Sequence, residues 1–177
     1  YRYVLGLTRS RIARYCGDGV DALAVIEAQR RPIERAMMLT KEPLRIFMAH
    51  DRGCAAMLAA WSSSGRARTQ ALAIARHEAD HLLGEPPPWA RALGLPIIAA
   101  HEAALGQRAL ASSTIEASRR AFLEQGMAAY AAATARRHGE LAESASAVAR
   151  ADASLRDLGA AAPESLARML VPPVVGW

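Results

Sequence analysis

The sequence predicts an all-α fold: a multi-helix bundle of seven to nine helices, with a long C-terminal helix or helical hairpin and an extended Pro-rich tail. Three observations carry this. Alanine supplies 41 of the 177 residues and favours helix more than any other side chain. Apolar residues recur at three- and four-residue intervals. The breaks between these runs fall at Gly, Pro and Ser clusters, with almost no alternating pattern of the kind that strands require. Residues 1–170 read as a single helical domain and 171–177 as an extended apolar C-terminal tail.

Taken in order, Tyr3 to about Tyr15 forms a short helix with an apolar stripe through Val4, Leu5 and Ile12 and Arg on its other side. Cys16-Gly17-Asp18-Gly19 is a turn in which Asp18 caps the next helix, Val20 to Arg31. Pro32 breaks that helix and begins a short segment to Thr40. Pro43 opens a longer helix through Trp61, with Ile46, Phe47, Met57 and Leu58 as core residues, Gly53 weakening its middle, and His50 as a surface or hydrogen-bonded histidine. Ser62-Ser63-Ser64-Gly65 is a loop, and the following helix runs from about Arg66 to Leu83, stopping at Gly84.

Glu85-Pro86-Pro87-Pro88-Trp89 is a stiff connector, and Leu93-Gly94-Leu95-Pro96 is a second break before a helix from Ile97 to Ala111. Ser113 and Glu116 have the spacing of a capping box. They open the longest helical pattern, to about Leu158, which Gly126 and Gly139 divide or bend. Leu141, Val148 and Leu155 make a narrow seven-residue seam within it. A short helix from Glu164 to Leu170 precedes the tail. No internal repeat is visible.

One stretch pairs catalytic residue types at a catalytic spacing: Arg76-His77-Glu78-Ala79-Asp80-His81-Leu82-Leu83-Gly84. His-Glu-x-x-His on a helix sets two imidazoles one turn apart, where both can ligate zinc while the Glu takes a proton from zinc-bound water. His77 and His81 are then the ligands, Glu78 the base and Glu102 the third ligand. With Leu72, Ala75, Ala79, Leu82 and Leu83 on the opposite face, the same helix also reads as ordinary amphipathic structure whose His side is solvated.

His77 to Gly84 resembles the third motif of peptide deformylases, His-Glu-x-Asp-His-Leu-x-Gly. The resemblance covers eight residues. Where that family has Glu-Gly-Cys, with its metal-ligating Cys, this chain has Arg52-Gly53-Cys54, and Gly17-Asp18-Gly19 lacks the rest of the family's Gly-rich motif. Glu78 and His81 also form the Glu-x-x-His element of di-iron bundles, but no second such element exists in the chain.

Composition bounds the remaining readings. The chain carries a net charge of +5, and only Lys41 among its 22 basic residues is not Arg. The Arg residues fall in small groups without an aromatic stacking platform, so nucleic-acid binding is open but unsupported. Two isolated cysteines predict a reducing intracellular compartment, mitochondrial or bacterial cytoplasmic, and no run has the length of a membrane span. The opening residue Tyr1 is compatible with an imported, processed chain.

Alanine buries little area and aromatic residues are only 5%, so a thin core is expected to lean on partners. The expectation is therefore a non-catalytic structural or accessory subunit of a larger assembly, for instance a mitochondrial respiratory or ribosomal complex. Trp89, Val174, Val175 and Trp177 are its docking residues, and no cofactor is required. The alternative is a small zinc-dependent peptidase or amidase built on His77, Glu78, His81 and Glu102.

Overall fold

The computed structural model describes residues 2–175. Among them lie nine α-helices, one 3₁₀ turn (Met38–Thr40) and no strand: α1 Arg2–Cys16, α2 Gly19–Arg35, α3 Glu42–Trp61, α4 Gly65–Gly84, α5 Pro88–Ala104, α6 Arg108–Glu124, α7 Ala128–Leu141, α8 Ala145–Asp157 and α9 Pro163–Leu170. No helix among them is long and apolar enough to cross a membrane.

Each helix packs against the next in sequence. The odd-numbered helices form an inner layer. Within it α3 packs on α1 and α5, the ring of Tyr130 in α7 meets that of His50 in α3, and α9 spans α7 and α1. Ile46, Met57, Leu82, Leu93, Ile97, Ile115, Phe122 and Leu155 supply the bulk of the main core, filled in by alanines that let helix backbones approach. Gly19 shows how close that approach is. A Cβ there would lie 2.4 Å from the Ala59 nitrogen, so only glycine lets the start of α2 rest on α3.

Five helices end in the same way. After α1, α5, α6, α7 and α8, one residue takes a left-handed conformation: Gly17, Gly106, Gly126, Glu143 and Gly159. The next N–H then reaches back to a carbonyl in the last turn, as from Gln107 to Glu102 and from Met127 to Phe122, both at 2.9 Å. These are Schellman caps, which satisfy the terminal carbonyls and reverse the chain in about three residues.

Two of these caps cut the long helix expected from Ser113 to Leu158 into α6, α7 and α8. Ser113 lies inside α6 and caps nothing, and Glu116 instead bonds Arg119 at 2.8 Å. Gly139 does not divide a helix; it sits inside α7, where its missing side chain leaves room for the backbone of Val148 in α8. Two predicted proline breaks are likewise carried through, Pro32 within α2 and Pro96 within α5. Around Pro96 the buried face formed by Leu93, Ile97 and Ala100 continues, and Gly94 faces Leu82 and Ala79 of α4 rather than ending a turn. Asp18 caps α2 as expected, accepting from the Asp21 N–H at 2.9 Å.

The amphipathicity of α1 is inverted relative to expectation. Val4, Leu5 and Ile12 are exposed, while Arg14 is 1% exposed and faces the interior. The buried face of α1 runs instead through Leu7, Ser10, Ala13 and Arg14, and there Arg14 and Arg11 both bond the buried carboxylate of Asp51 on α3, which would otherwise be an unpaired buried charge. The tail packs on its own domain over 171–175. Val171 and Val174 are buried, and the Trp61 indole N–H donates to the Pro173 carbonyl at 2.9 Å.

Candidate functional site

Two contiguous recesses lie between α2 and α4, above α3, and share Arg52. One, of about 470 Å³, has mainly apolar walls with a fixed spacing, interrupted by one polar residue on each side: Val20, Leu23, Ala24 and Glu27 from α2, and Ala67, Gln70, Ala71 and Ile74 from α4. Both sets follow i, i+3, i+4, i+7, the spacing of one helix face. The second, of about 150 Å³, continues along the same helices with Arg30 and Glu34 from α2 and His77, Glu78 and His81 from α4. Arg52 of α3 lies on the floor of both. At a helical rise of about 1.5 Å per residue, residues 20–34 of α2 wall a groove roughly 21 Å long.

Arg52 divides the groove into an apolar and a polar half. Its Nε–H donates to Glu27 of α2 at 2.6 Å and its other arm bonds Glu78 of α4, so one guanidinium spans the two walls. The side chains of Arg52 and Glu78 are each 8% exposed. Burial alone would lower the Arg52 pKa, but the bonds to Glu27 and Glu78 outweigh it and hold it above the ordinary arginine value. At the polar end Arg45 makes a two-pronged contact with Glu85 at 2.6 and 2.7 Å. That bond, against a smaller opposing effect of burial, holds the Glu85 carboxyl below the usual range.

The His-Glu-x-x-His residues therefore share one wall of the polar half. His77 and His81 are exposed, as an amphipathic helix predicts, yet they line a groove rather than an open face. Glu78 is engaged by Arg52, and His81 Nε2 lies 3.0 Å from Glu85. Glu102 does not join them. It is buried on α5 and acts electrostatically on Arg76, which with His101 lines a larger groove of about 650 Å³ on the other side of α4, where His77 borders both grooves. Among the described residues, no three His, Cys, Asp or Glu side chains gather closely enough to hold a metal ion.

The expected docking residues are dispersed. Trp89 is half-buried, its ring 5.5 Å from that of Phe47, over which the Arg11 guanidinium lies at 5.8 Å. Val174 is 2% exposed and Val175 half-buried, both within this chain's own packing. Trp177 lies outside the described residues.

A polar cluster in the inner layer was not anticipated. Of the two readings of His50, the structure favours the hydrogen-bonded one: the ring is buried. Its Nε2 is 3.4 Å from the Cys54 sulfur, and its Nδ1 is 3.8 Å from Asp51, beyond hydrogen-bond reach but close enough for attraction between charges. Burial would push the imidazole down, but Cys54 and Asp51 outweigh it and raise it to about 9. Burial and the Asp51 charge push the Tyr130 phenol up to about 12, so it stays neutral. The available signal was the polar run His50-Asp51-Arg52 inside an otherwise apolar helix, where three charged or titratable groups must find partners. For the groove the signal was the matched spacing of residues 20–27 and 67–74.

Compared with known proteins, the chain matches no family model, no curated protein and no solved structure.

Proposed function

We propose that this chain is a non-catalytic structural or accessory module that holds a helix of another protein in the α2–α4 groove. The observation that carries the reading is the pair of facing i, i+3, i+4, i+7 stripes. Two helices that each present such a face, separated by a recess of about 470 Å³, make the receptor half of a helix-in-groove contact. The walls are small, with Ala24, Ala67 and Ala71 prominent, so space is left for large side chains from an incoming helix. Of the acid–base groups beside them, Glu78 is paired with Arg52 and His81 with Glu85, contacts that brace the walls. Trp89, with Phe47, supplies a second half-exposed apolar patch to such an assembly.

The test is a library of helical peptides selected on the wild-type protein and re-measured on Ala67→Trp. Ala67 is exposed on the groove wall, so the indole fills the recess without entering the core. Selected peptides should lose roughly tenfold or more in affinity, the equivalent of about 1.4 kcal/mol. Unchanged binding would place the contact elsewhere and end the proposal.

A further inference from the structure

The lips of the groove say what kind of helix it takes, granted the docking reading above. The outer lip of α2 continues past Glu27 to Arg31 and Arg35, and that of α4 begins one turn before Gln70 at Arg66. All three are exposed, and none has a hydrogen bond or ion pair to another described residue. The acidic groups nearby are already engaged: Glu27 and Glu78 with Arg52, Glu34 with Arg30, and Glu85 with Arg45. The four carboxylates of the groove are thus each engaged by one of three arginines within it, whereas its lips carry three cations without counter-charges.

We infer that the occupant is an amphipathic helix of a partner protein whose apolar stripe is flanked on both sides by Asp and Glu. The stripe fills the recess beside Val20, Leu23, Ala71 and Ile74, and the flanking carboxylates meet Arg31, Arg35 and Arg66. A basic helix with the same stripe meets three like charges as it docks, which selects against it at the encounter and in the complex.

The experiment uses two helix-stabilised peptides with the same leucine stripe at i, i+3, i+4 and i+7. One carries Glu on its flanks and the other Lys. Each is titrated by fluorescence anisotropy against the wild type, the Ala67→Trp variant and the triple variant Arg31→Glu/Arg35→Glu/Arg66→Glu. The wild type should prefer the Glu peptide by roughly tenfold at low salt, a few-fold for each lip pair, and the preference should shrink as salt rises. The triple variant should invert the preference, and Ala67→Trp should bind neither peptide. Equal affinities on the wild type, without inversion, would overturn the acidic partner; if Ala67→Trp still loses both, the groove reading stands. Undiminished binding to Ala67→Trp, or no binding of either peptide to folded wild type, would overturn both.

Discussion

Replacing Arg52 with Met tests whether the floor of the groove is built as described. Arg52 and Glu78 are each 8% exposed, so removing the guanidinium leaves a carboxylate buried without its partner, a change that typically costs about 3–5 kcal/mol. Glu78 keeps an edge on the groove at 8% exposure, which places the expectation near the lower end, about 3 kcal/mol. The second bond, to Glu27, adds little because that carboxylate is 39% exposed and screened by water. Glu78→Met keeps the Arg52–Glu27 contact and should cost less, about 1–2 kcal/mol. The double replacement Arg52→Met/Glu78→Met removes both charges and should return to within about 1 kcal/mol of wild type. Urea unfolding followed by circular dichroism gives all four values as a double-mutant cycle. A cost below about 1 kcal/mol for Arg52→Met, the range of a surface pair, would refute the reasoning. So would a double variant whose cost equals the sum of the single ones.

Three further predictions concern the scaffold. The raised His50 pKa contributes stability that is fully present below its ordinary 6.5 and is lost as the pH climbs through about 9, because the folded state holds a proton that the unfolded chain has released. Unfolding free energies measured on either side of that window should fall with pH in the wild type and stay flat across it in His50→Gln; a wild-type profile identical to the variant's would contradict the cluster's electrostatics. Gly19→Ala puts a Cβ 2.4 Å from the Ala59 nitrogen and should destabilise by about 1–3 kcal/mol, with a thermal midpoint at or above wild type as the contrary result. Glu143 is the one non-glycine in the five Schellman turns, at φ 53°, so Glu143→Gly should stabilise by about 1 kcal/mol in the same assay; a loss would mean that its exposed bond to Arg108 outweighs the backbone strain.

How much of this was legible in the sequence depends on which force decided each feature. The helical class and the helices beginning near Pro43 and Pro163 follow from local preferences that tertiary packing left untouched. The breaks expected at Pro32 and Pro96 fail because burial of the helix face beyond each proline outweighs one missing hydrogen bond. Ser113 and Glu116 have the right capping spacing, but the turn is set one and a half turns earlier by Gly106 in its left-handed conformation.

The inversion of α1 was not legible, since nothing local tells an Arg facing water from one facing a buried Asp 37 residues away. For the same reason the His-Glu-x-x-His stretch could be placed on a helix face but not in a groove. The spacing fixes His77 and His81 on one side of α4, while the identity of the opposite wall depends on how α2 packs on α3. Arg52, the residue that joins those walls, carries no motif and is recognisable only as a cation inside an apolar helix.

The most direct measurement of the docking account is chemical-shift mapping of the ¹⁵N-labelled protein on addition of the Glu-flanked helical peptide. The account predicts perturbations concentrated on the facing stripes, at Val20, Ala24, Gln70 and Ile74, with the arginine lips at Arg31 and Arg66 responding beside them. Perturbations centred on Phe47 and Trp89, or scattered without reference to α2 and α4, would contradict it.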